Sequence, residues 1–93
     1  MRYFLHFAYN GEEFHGWQIQ DGQTSVQEVL QTALGHIFGK EIELIGCGRT
    51  DSGVHASDFY AHFDHIELLE RERKQVVYRL NRYFVHNILI YDL

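Results

Sequence analysis

Between Ile45 and Ala56 the chain reads IGCGRTDSGVHA, and within it Arg49 and Asp51 stand two residues apart in a frame of three glycines. A carboxylate can attack carbon or exchange a proton, and a nearby guanidinium favours its ionised, reactive form. Gly46, Gly48 and Gly53 allow the sharp turns and close approaches that a loop presenting such a group needs. The same residues also have a plainer use. Asp-Ser-Gly is a common turn in which the carboxylate accepts from the backbone two residues on, and Arg49 can be an ordinary surface residue. On the local sequence both readings stand.

Other candidates are weaker. Seven histidines invite a metal reading, with His55, His62 and His65 the nearest thing to a cluster. His62 and His65 fall on opposite faces of an extended segment, and no carboxylate or thiolate completes a usual ligand spacing, so no metal is expected. Cys47 is the single cysteine; it forms no internal disulfide and is compatible with a reducing compartment. The stretch FHGWQIQ holds the only tryptophan, Trp17, in a segment without sustained periodicity. It reads either as a plug over the end of a sheet or as a brace for the Asp51 loop, with Gln18 and Gln20 offering hydrogen bonds.

The elements that must position these residues follow from periodicity. Tyr3 to Tyr9 predicts a strand ending at the turn signal Asn10-Gly11, with Tyr3, Leu5, Phe7 and Tyr9 on one face and Phe4, His6 and Ala8 on the other. Both faces are largely apolar, which suits a central strand. Thr24 and Ser25 open a helix, Ser25 and Glu28 having the capping-box spacing. Val26, Val29, Leu30, Ala33, Leu34 and Ile37 form its apolar stripe, and Gly39 is placed to end it. Gly35 inside that helix costs about 1 kcal/mol relative to alanine.

Ile42 to Ile45 predicts a short strand running into the glycine-rich stretch, and Ala56 to Phe63 a second one leaving it. From about Leu68 to Phe84 the period is helical again. Val76, Val77, Leu80, Tyr83 and Phe84 share one face, with Arg71, Lys74 and Arg82 pointing away. Asn87 to Tyr91 closes the chain as a strand. The order β-α-β-β-α-β predicts an α+β, ferredoxin-like split β-α-β fold, an antiparallel sheet with two helices on one face. The other face then carries aromatic side chains from the first and third strands and calls for a second domain, a ligand or a partner.

Ninety-three residues with 45% hydrophobic content make one domain, and zero prolines leave nothing that reads as a linker. A formal net charge of −5 argues against a protein that coats nucleic acid electrostatically. Five of the eight basic residues nevertheless lie between Arg71 and Arg82, a basic element that is commonly just a solvated helix face. Met1 to Phe7 is too short for a signal peptide or a membrane span, so a cytoplasmic protein without a membrane partner is expected.

Two segments carry a resemblance. YNGEEFHGWQIQ, from Tyr9 to Gln20, resembles the first motif of the TruA-type tRNA pseudouridine synthases, and GRTDSGVHA, from Gly48 to Ala56, resembles their catalytic motif. TSVQEVL, from Thr24 to Leu30, fits the same family between the two. The second motif fixes nine consecutive residues and is highly specific.

The resemblance implies an enzyme that isomerises uridine to pseudouridine in the anticodon stem-loop of tRNA, with no cofactor and no metal. It assigns the nucleophile to Asp51 and gives Arg49 the role of filling the space vacated when the target uridine is flipped out, a step costing a few kcal/mol. Thr50 and His55 match neighbouring motif positions and hold the loop in shape; Gln18 belongs to the bracing motif. Attack at the ribose C1′, attack at the base C6 and assisted glycal formation all remain open.

Asn10 and Glu12 depart from the family's usual Asp and Thr, and the last strand lacks the proline often found before it. The family also has a second domain, which supplies the tyrosine that stacks on the target base and half of the RNA cleft, and it acts as a homodimer. Residues 1–93 are therefore expected to be the N-terminal domain of a longer two-domain synthase, inactive alone. Two other classes use the same pattern: an RNA recognition motif-like binding module, with Phe4 and Tyr60 as stacking platforms, and a dimerisation domain joined through its aromatic face.

Overall fold

A computed structural model describes residues 1–11, 25–47, 56–84 and 87–93. The first strand, β1 (Arg2–Tyr9), buries Tyr3, Leu5, Phe7 and Tyr9 and leaves Phe4 half exposed on the opposite face. This is the alternation expected of a pleated strand with one face on a core. It sits inside the sheet, between β3 (Ala56–Asp64) and β4 (Ile88–Asp92). A two-residue strand, β2 (Ile45–Gly46), lies outside β3, giving the order β2-β3-β1-β4 with all pairs antiparallel.

Helix α1 (Val26–Phe38) begins where its sequence says it should. The Ser25 hydroxyl accepts the amide of Glu28 at 3.2 Å, and Val26, Leu30, Ala33 and Leu34 are buried behind it. Gly39 ends it at φ 70°, the left-handed conformation that a Cβ disfavours. Gly35 has a separate reason: a Cβ there would stand 3.3 Å from the carbonyl of Lys40, where the chain turns back over the helix. Helix α2 (Glu70–Tyr83) buries Val76 and Leu80, and its first turn is closed by the Glu72 carboxylate accepting the Leu69 amide at 2.8 Å.

The core lies between the sheet and the two helices, with Leu5, Phe7, Leu34, Phe63 and Leu80 among its least accessible members. The architecture is the expected β-α-β-β-α-β fold. Two expectations need correction. The second strand is not Ile42 to Ile45 but Ile45–Gly46. Ile42 and Leu44 are buried, yet Leu44 gives its N–H to the Gln31 side chain (2.9 Å) and its C=O to that of Gln27 (2.8 Å), so α1, not the sheet, holds its backbone.

Tyr83 is 54% exposed and not part of the buried stripe of α2. It stands at the flank of the line made by Val76, Leu80 and Phe84, with its ring against Phe84 (5.0 Å) and toward His36 (6.5 Å). Arg71, Lys74 and Arg82 are exposed as expected. Among the described residues no helix is long and apolar enough to cross a membrane.

Candidate functional site

Asp51, Arg49, Thr50, His55 and Gln18 all lie outside the described residues, as does Trp17. The frame to which their segments attach is described. In the antiparallel sheet β1 ends, and β3 and β4 begin, at the same end, where Tyr9 lies opposite both Ala56 and Ile88; β2 runs the same way as β1 and stops opposite Ala61, midway along β3. The chain leaves β2 with the Cys47 amide donating to the Tyr60 carbonyl at 2.8 Å and rejoins the sheet at Ala56. Residues 48–55 thus join two hydrogen-bonded neighbours. Residues 12–24 depart from that same end just after β1, where Asn10 donates to the Asn87 carbonyl at 2.9 Å. Both chemistry-bearing segments of the sequence therefore have an attachment point at one end of one sheet.

Two irregularities mark that end. From Phe7↔Phe59 to Tyr9↔Ala56, β1 advances two residues while β3 advances three, so β3 carries an extra residue around Ser57 and Asp58. From His6↔Asp92 to Phe7↔Ile90, β4 carries an extra residue at Tyr91. Both are β-bulges, which re-aim side chains and recur beside active sites.

On the face away from the helices, His6 collects the consequences. Its ring stacks on Tyr60 at 4.3 Å with 5° between planes, meets Tyr91 at 4.7 Å, and its Nε2 lies 2.8 Å from a carboxylate oxygen of Asp58. An ionised carboxylate only accepts, so Nε2–H is the donor. Sequence periodicity puts His6 on this face but does not show the cluster, because the bulges that bring Asp58 and Tyr91 to it break the two-residue period on which such a reading depends.

The rest of the face is apolar and open. Phe4, Ile45, Tyr60, Leu89 and Tyr91 are each about half exposed, so the expected aromatic surface from the first and third strands is present and extends over β4. Arg2 and Asp64, 3.3 Å apart, close its far end. His62 and His65 do face opposite ways, the first against Phe4 (5.5 Å) and the second against Phe38 (4.3 Å). Among the described residues no group of histidine, cysteine or acidic side chains is arranged to hold a metal ion.

No protein-family model matches the chain. Individual relatives do. It is 48% identical over 90 residues to a protein of Bacteroides thetaiotaomicron named tRNA pseudouridine synthase A, covering 97% of this chain and 33% of that protein. Proteins of the same name from Bacteroides fragilis and Chlamydia trachomatis serovar A are 47% and 43% identical, over 99% and 95% of this chain and 36% and 33% of their own lengths. The chain spans about a third of the length of the curated relatives it matches.

Proposed function

By sequence the chain is a TruA-type segment, related over nearly its whole length to proteins of which it spans about a third, and on that premise we propose that the protein it represents converts uridine to pseudouridine in the anticodon stem-loop of tRNA. The observation that carries this is the run GRTDSGVHA, which fills the connection between two hydrogen-bonded strands. A loop tied at both ends to neighbouring strands is a sound mount for a nucleophile, because the sheet fixes where it begins and ends.

In this reading Asp51 is the nucleophile. Forming pseudouridine means breaking the bond from ribose C1′ to N1, turning the freed base and joining C1′ to C5, with the proton of C5 lost to solvent. The Asp51 carboxylate attacks carbon or assists loss of the base as a glycal. Arg49 occupies the space of the flipped uridine, while Thr50 and His55 shape the loop and Gln18 braces it. These residues contact RNA and need neither metal nor cofactor.

Residues 1–93 are the N-terminal domain of a two-domain cytoplasmic synthase that works as a homodimer. The open apolar face of the sheet is where the second domain or partner subunit acts, since exposed patches of that kind mark interaction surfaces. A binding module without chemistry is not favoured: the relatives are named synthases.

The test uses tRNA transcripts tritiated at uridine C5, whose label is released only when C5 bonds to C1′. Full-length protein should release tritium, unaffected by EDTA, with pseudouridine mapping to the anticodon stem-loop. No release, or release abolished by EDTA and restored by a divalent ion, would sink the proposal.

A further inference from the structure

We infer that His6 is a positioning residue for this reaction, clamping the two bulged segments so that β3 sets out from Ala56 in one fixed direction. The inference rests on the reading of that segment as the catalytic loop. His6 itself lies on the central strand and acts through the bulged segments of β3 and β4.

The geometry is specific to this end of the sheet. The extra residue in β3 falls among the first residues after the loop, between Ala56 and Phe59. A bulge leaves its strand locally unpaired and more strongly twisted, so the direction of the chain there is not set by the ladder alone. The His6–Asp58 hydrogen bond, at 2.8 Å, supplies a tie from the central strand to the bulge. On the other side the extra residue of β4 is Tyr91, whose ring meets the same imidazole at 4.7 Å. The parallel stack on Tyr60 fixes the ring plane from which Nε2 reaches Asp58. One side chain thus contacts both bulges and the regular ladder between them.

Asp58 is largely solvent-exposed and Tyr91 about half exposed, so the tie holds a surface segment in place and contributes little to the core. A comparison is built into the same strand pair. Arg2 and Asp64 also bridge β1 and β3 on the open face, but at the far end, where the register is regular. That pair serves as a comparison because its loss leaves both bulges untouched.

The experiment measures tritium release and tRNA affinity of the full-length protein and its His6→Ala, His6→Gln, Asp58→Ala and Asp64→Ala variants. The expected result is kcat lower by at least about ten-fold in His6→Ala and Asp58→Ala, with KM for tRNA within about two-fold of the parent. His6→Gln, whose amide can still reach Asp58, should fall between parent and His6→Ala, and Asp64→Ala should match the parent. Asp58→Ala changes an exposed residue and keeps the test valid if His6→Ala fails to fold.

Unchanged kcat in both His6→Ala and Asp58→Ala, an effect confined to KM, or an equal loss in Asp64→Ala would each overturn the inference. An Asp51→Asn control separates this from the parent reading: turnover retained there would defeat the assignment of the catalytic loop, whatever His6 does.

Discussion

Ser25 is fully buried, and its hydroxyl satisfies the Glu28 amide at the start of α1, where the segment carrying Trp17 and Gln18 feeds into the helix. Ser25→Ala should lower stability by about 1 kcal/mol, seen as a lower urea midpoint at constant slope. Gly39→Ala is a cleaner backbone experiment, since a Cβ there meets nothing within 4 Å and the cost comes only from φ 70°. A loss of roughly 1–2 kcal/mol is expected, checked by the same titration, and an unchanged midpoint would refute it. Both residues were readable in advance, because caps are written in short local patterns. Asp51 lies outside the described residues, and its proposed role rests on the long motif, since its neighbours allow a turn as easily as a nucleophile. His6 was not, because its partners depend on two bulges that no period reveals.

Each edge strand, or the approach to it, is latched from a helix. Asn81 on α2 accepts the Ile90 amide at 2.8 Å and donates to the Ile90 carbonyl at 2.9 Å, which occupies backbone groups of β4 that another strand could otherwise take. At the opposite edge Gln27 and Gln31 of α1 do the same for Leu44. Asn81→Leu should cost about 1–3 kcal/mol and speed hydrogen exchange at Ile90 more than at Phe7; equal protection at both would contradict the latch. The helices and long strands were legible from their apolar periods. The second strand was misplaced because burial of Ile42 and Leu44 looks the same in sequence whether a sheet or two glutamines hold the backbone.

As a whole the molecule is one layer of sheet backed by two helices, with an open apolar face and, at one end, an attachment point for each motif-bearing segment. Its net charge of −5 and its basic helix, which lies behind the sheet, offer the open face little electrostatic pull on RNA. The proposed enzyme therefore needs the remainder of the protein for its cleft, and the isolated 93-residue chain should release no tritium from labelled tRNA under conditions where the full-length protein does.

The central claim, that the loop between β2 and β3 carries the nucleophile, is tested most directly by replacing Asp51 with Asn in the full-length protein and measuring tritium release beside tRNA binding. The account predicts turnover lower by on the order of a thousand-fold or more, with affinity for tRNA within a few-fold of the parent. Turnover retained at the parent's level would contradict it.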